Sequence, residues 1–120
     1  MYKGVMSTNA HTPEELEMLL EDSLLLRDPQ SLMALFAVGA VLVIGEEGIA
    51  HGEDITRLAL ATWHGSQTYV AAPQRVIQAR DLALIVSGQG TNVVRRDNNG
   101  IWQYVIVCQS VRSMMEIHGK

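Results

Sequence analysis

From Asp81 to Val111 the chain alternates apolar, often β-branched residues with small polar ones, and Asp97-Asn98-Asn99-Gly100 interrupts the run just before Trp102. A period of two broken by a turn signal predicts antiparallel strands. Ahead of this region the period is helical. Thr12-Pro13-Glu14-Glu15 opens a helix: Thr12 can cap it, Pro13 suits its first turn, and Glu15 can reach back to close a capping box. Leu16, Leu19, Leu20 and Leu24 form the expected buried stripe, with Glu14, Glu17 and Glu21 mainly on the wet side. Asp28-Pro29 ends this helix and starts a second, with Leu32, Leu35 and Phe36 inward and Gly39 as its breaker.

Ala40 to Ile44 reads as a short apolar strand, Gly45-Glu46-Glu47-Gly48 as a turn, and Ile49-Ala50-His51 as the returning strand. Glu53 to His64 predicts a third helix with Ile55, Leu58, Ala59 and Trp63 inward, its two leading acids suiting the positive end of the helix dipole. A strand is expected from Thr68 to Ala79 and another from Leu82. Gly88-Gln89 fits a tight hairpin with glycine first in the turn, which makes Gly90 to Arg96 a separate strand; the alternative is one long strand with a glycine bulge. Ile101 to Val111 closes the sheet. The order is α-α-β-β-α-β-β-β-β, an α+β fold in which helices wrap a curved antiparallel sheet into a cone. Residues 12–112 are expected to form one domain, between a loose N-terminus (1–11) and a tail (113–120).

Composition narrows the function classes. A chain of 120 residues with 48% hydrophobic content can bury roughly two-thirds of its unfolded surface around one core. The net charge is −4 and the nine Lys and Arg are scattered; Arg95-Arg96 adjoins Asp97 as a turn-flanking pair, so nucleic acid is not an expected partner. Cys108 is the sole cysteine, which excludes an intramolecular disulfide and a cysteine-based metal cluster. No apolar run approaches the ~18 residues that span a bilayer, and MYKGVMSTNAH has no apolar signal region. A cytoplasmic protein with no membrane partner and no cofactor is expected.

Three stretches carry a family resemblance: RDPQSLMALFAVGAVLV from Arg27, HGEDITRLAL from His51, and ARDLALIV followed by GTNVVRRDNNGIWQYVIV. In this succession the chain resembles the nuclear transport factor 2-like superfamily, in particular the small SnoaL-like (ketosteroid isomerase-like) bacterial proteins. The resemblance implies a cystatin-like α+β cone, a pocket between helices and concave sheet, and a homodimer formed through the outer sheet face. It implies no single activity, since this fold hosts isomerases, cyclases, hydrolases and adaptors.

Two departures from that resemblance bear on the pocket. The hairpin between Leu84 and Gly90 is short, which predicts a lower lip and a more open pocket. Val107-Cys108-Gln109 stands where similar proteins often carry an acid. Matching the ketosteroid isomerase pattern puts Leu20 at the oxyanion-stabilising tyrosine and Ile44 at the base aspartate, so that mechanism is absent. None of the acids falls inside an expected strand, which also removes the two-aspartate epoxide hydrolase arrangement.

The remaining candidates for chemistry are His51 and His64, flanking the third helix, and Cys108. A histidine at an element's end is commonly solvated, a lone strand cysteine is commonly a buried structural thiol, and two histidines without a third ligand make no metal site. Leu20, Phe36, Ile44, Trp63, Trp102 and Tyr104 are the expected lining of an apolar pocket, with Tyr69 a further aromatic. Gln89, Asn92 and Gln103 could hydrogen-bond a ligand, and Met18 and Met33 could fill space around it. The favoured reading is a protein that binds a small apolar molecule without a recognisable catalytic carboxylate. The alternatives are an isomerase-, cyclase- or hydrolase-type enzyme using His or Cys, and a dimerisation or adaptor module with a filled cone.

Overall fold

Thr12 caps the first helix as its sequence predicts: its hydroxyl accepts from the Glu15 amide at 3.0 Å, while Glu15 Oε1 accepts from the amide of His11. The computed structural model describes residues 9–46 and 48–110. Helix α1 runs Pro13–Leu26, α2 Pro29–Ala34 and α3 Asp54–Thr62. The strands are β1 (Phe36–Ile44), β2 (Gly48–His51), β3 (Arg75–Ala79), β4 (Leu82–Val86), β5 (Gly90–Arg96) and β6 (Trp102–Gln109). This is the predicted order of elements. Arg27 ends α1 in the left-handed region (φ 52), where its amide and that of Asp28 return to the carbonyls of Leu24 and Ser23. Asp28 then caps α2 through the Gln30 and Ser31 amides and the Ser31 hydroxyl.

The six strands form one sheet in the order β2-β1-β6-β5-β4-β3. It is antiparallel except between its second and third strands, where β1 pairs parallel to β6, so the sheet is mixed rather than wholly antiparallel. The second helix is shorter than its apolar stripe suggests. It stops at Ala34, and Phe36 already belongs to β1; Gly39 (φ 84) therefore interrupts a strand, beside a fully exposed Val38. The strand expected from Thr68 begins only at Arg75. Pro73, which has no amide to give to a ladder, lies in the irregular segment before it. Gly88 and Gln89 do form a hairpin turn: Val86 pairs with Thr91, and the Ser87 amide donates to Gly90 O at 2.9 Å.

One irregularity sets which side chains enter the cone. Val93 pairs with Ile106, but Val94 pairs with Tyr104, so Val105 is an extra residue in β6. Trp102 and Tyr104 face inward before it, Val107 and Gln109 after it, and Ile106 and Cys108 are turned out. Cys108 is thus exposed and not the buried thiol expected. The core gathers Leu16, Leu20 and Leu24 of α1, Leu32 of α2, Ile55 of α3 and the inward strand residues. Ala10 is buried too, its carbonyl accepting from the Trp102 amide at 2.9 Å. Among the described residues no helix is long and apolar enough to cross a membrane.

Candidate functional site

The buried positions of α1 are Pro13, Leu16, Glu17, Leu20, Ser23 and Leu24, a repeat of three and four that is the inner face of a helix. Glu17 lies on that face with 1% of its surface exposed. It was expected on the wet side. The helical period carries it inward regardless, and three side chains inside the cone donate to it there.

Oε1 of Glu17 accepts from the Tyr69 hydroxyl at 2.7 Å. Oε2 accepts from the Tyr104 hydroxyl at 2.7 Å and from Asn92 Nδ2 at 2.9 Å. Asn92 Nδ2 also donates to the Tyr69 oxygen at 3.2 Å, and Asn92 Oδ1 accepts from Gln109 Nε2 at 2.9 Å. Both hydrogens and the oxygen of the Asn92 amide are engaged, which fixes its orientation. Three donors converge on the two oxygens of Glu17, an arrangement that suits a carboxylate as their common acceptor. Burial first, and the adjoining Glu17 charge second, hold both phenols above the ordinary tyrosine range. They stay protonated and remain donors.

Two members of this network border a cleft of about 340 Å³, lined by Trp63, Ser66, Gln67, Thr68, Tyr69, Val70, Gln89 and Gln109. Tyr69 and Gln109 belong to both, at 6% and 4% exposure. A small adjoining recess shares Trp63, Thr68 and Tyr69 and adds Glu21, Leu24 and Leu25. The wall is held by Arg27, whose guanidinium donates to Trp63 O at 3.0 Å and to Leu60 O at 2.9 Å, capping the end of α3 from the end of α1. Trp63 in turn meets Tyr69 edge to face, with ring centroids 5.3 Å apart.

Of the residues expected to line a pocket, Trp63 lines the cleft. Leu20, Phe36, Ile44, Trp102 and Tyr104 lie in the packed core, Tyr104 against Phe36 at 5.4 Å between centroids. His51, His64 and Cys108 are exposed and line neither the cleft nor the recess. Of the polar candidates, Gln89 lines the cleft, Asn92 joins the network, and Gln103 instead donates to Ala34 O at 3.1 Å. Met18 is exposed and Met33 accepts from the Thr56 hydroxyl. Among the described residues no group of three or more His, Cys, Asp or Glu is arranged to hold a metal ion. Glu17 is the residue that sequence reasoning missed, and its position in the Leu20–Leu24 stripe was the available signal.

No family model and no curated protein matches the chain. Solved structures do. A ketosteroid isomerase-like protein from Erwinia carotovora aligns at 17% identity and TM-score 0.61, covering 83% of this chain and 93% of that one. A nuclear transport factor 2-like superfamily protein from Salmonella enterica aligns at 16% and 0.62, covering 89% and 93%. A protein with a cystatin-like fold from Nostoc punctiforme aligns at 22% and 0.61, covering 83% and 88%. At these identities the likeness shows the fold: this chain has the nuclear transport factor 2-like, cystatin-like architecture.

Proposed function

We propose that this chain, with its nuclear transport factor 2-like fold, is a small-molecule-binding protein whose ligand occupies the cleft at the mouth of the cone. The observation that carries this reading is Gln109, a side chain 96% out of solvent yet lining the cleft, whose Oε1 has no partner among the described residues. The protein leaves this acceptor to whatever occupies the cleft, where a donor group on a ligand can meet it. The lining combines amide and hydroxyl groups with Trp63, Tyr69 and Val70, which suits a ligand with a polar end and an apolar body rather than the wholly apolar one expected from sequence.

The ketosteroid isomerase-like neighbour makes proton transfer the catalytic alternative. Here the carboxylate for it would be Glu17, which does not line the cleft and already accepts three hydrogen bonds. Binding is the reading this favours. The assembly we propose is a homodimer through the outer sheet face. Its support is an apolar row, Ile77, Leu84, Val93, Ile106 and Val41, in register across five strands.

Native mass spectrometry of gently purified protein tests the binding reading, alongside a fragment screen read by NMR. The expected result is a removable adduct, or fragments that shift the Gln109 side-chain amide, abolished by Val70→Trp. Val70 is 62% exposed, so the larger side chain blocks the cleft without disturbing the core. Ligands that survive Val70→Trp bind elsewhere and overturn the reading, as does a clean protein that no fragment shifts.

A further inference from the structure

The valences of the network beside the cleft are unequally spent. Every hydroxyl and amide donor that touches Glu17 is already used: the Tyr69 and Tyr104 hydroxyls and both Asn92 hydrogens. Gln109 keeps a single donor hydrogen after its bond to Asn92. Within this network, what remains open is mainly acceptors, namely Gln109 Oε1 and a second lone pair on the Tyr69 oxygen. The charge is unequal as well. The buried Glu17 has no cation in contact among the described residues, and Glu21, one turn further along α1, lines the recess beside Tyr69. Both acids add to the electrostatic cost of ionising Tyr69. The lining itself contains no charged side chain. Among the described residues the guanidinium bonded to this wall is that of Arg27, directed at the carbonyls of Trp63 and Leu60.

A neutral wall above uncompensated negative charge, with acceptors open, is complementary to a positive donor. An anionic head would meet repulsion from Glu17 and Glu21, whereas the hydroxyl and amide groups of Ser66, Thr68 and Gln89 can turn an acceptor toward a cation. Resting on the reading of the cleft as the ligand site, we infer that it binds the protonated amine head of a small molecule, with Gln109 Oε1 and the Tyr69 oxygen as acceptors and Glu17 and Glu21 as the counter-charge. The apolar remainder of the ligand would lie along Trp63 and Val70. At about 340 Å³ the cleft is at the small end of ligand pockets, which fits a compact arylalkyl or alkyl amine.

Three probes of one shape separate charge from occupancy: 2-phenylethylamine, 2-phenylethanol and 3-phenylpropionate, each titrated into the full chain while the Gln109 and Gln89 side-chain amides are followed by NMR. The amine is expected to shift both amides and to bind about tenfold tighter than the alcohol, with no measurable binding of the carboxylate. Glu21→Gln should weaken the amine a few-fold and leave the alcohol unchanged. Glu21 makes no hydrogen bond or ion pair with a described residue, so this variant keeps the fold intact. Equal affinity for amine and alcohol, or preference for the carboxylate, overturns the amine assignment while leaving the cleft as a binding site. If none of the three shifts either amide, both the assignment and the cleft as ligand site are overturned.

Discussion

The Tyr104 hydroxyl donates to Glu17 Oε2 at 2.7 Å, joining the sixth strand to the first helix where the tyrosine is wholly buried and the glutamate nearly so. The position that an incoming oxyanion could take among the Tyr69, Tyr104 and Asn92 donors is therefore filled by the protein's own carboxylate. Glu17→Ala removes the acceptor and strands all three donors. It should destabilise the protein by more than any single bond of the network, because three buried donors lose their acceptor at about 1–3 kcal/mol each, read by urea denaturation. Tyr104→Phe removes a single bond and should cost only about 1–3 kcal/mol. Millimolar formate should restore part of the Glu17→Ala loss and nothing of the Tyr104→Phe loss. Equal costs for the two variants would mean that the carboxylate does not organise the network.

Alkaline stability follows from the same contacts. Burial, then the Glu17 charge, raises the folded-state pKa of both phenols, whereas an unfolded tyrosine ionises near 10. Above that pH the unfolded chain has lost protons that the folded chain keeps, so stability is full below about pH 10 and falls as pH rises, by about 1.4 kcal/mol per pH unit for each phenol. Tyrosinate absorbance from Tyr69 and Tyr104 should therefore appear together with loss of circular dichroism. Ionisation of both in a still-folded protein would contradict their burial.

Gly90 is fixed by space. A Cβ built there would stand 2.0 Å from the carbonyl oxygen of Cys108 and 3.0 Å from Gln109 Cα, both backbone atoms that cannot swing away. Gly90→Ala should force β5 from β6 just beside Gln109, costing about 2–3 kcal/mol, within the range of strained or overpacked substitutions. Gly88→Ala is the control, because its nearest neighbour is the flexible end of Gln74 at 3.6 Å. Thermal melts in which both variants match the parent would show that the strands are further apart than this.

Element order, the cone and most of its core were legible because helical and alternating periods mark each element by type even where its ends or phase shift. The candidate site was legible only in pieces. Tyr69 and Gln89 were recognised as possible ligand contacts, but Gln109 was noticed chiefly for the acid it replaces. Glu17 sits three residues before Leu20 and seven before Leu24, so periodicity alone places it inward; its charge argued for solvent, and the compensating donors come from Tyr69, Asn92 and Tyr104, 52 to 87 residues away. The phase change in β6 had no marker at all. Val105 lies in an unbroken apolar run, and no glycine or proline announces the bulge that sends Gln109 inward and Cys108 outward.

That same bulge shapes the outer face and gives the proposed dimer its test. By turning Ile106 outward it completes the row Ile77–Leu84–Val93–Ile106–Val41, in which Ile106 joins the antiparallel half of the sheet to the parallel pair. Ile77, Leu84 and Ile106 are 44%, 37% and 39% exposed, large apolar side chains neighbouring one another on a surface that a second copy could cover. Ile106→Asp places a charge at the row's inner junction without touching the core. Sedimentation should show a dimer for the parent and a monomer for the variant, with circular dichroism unchanged, because a desolvated unpaired charge at an interface costs more than the burial it replaces. A second substitution, Leu84→Asp, should act in the same direction from the neighbouring part of the row. A parent that sediments as a monomer, or variants that remain dimeric, would exclude this face as the interface.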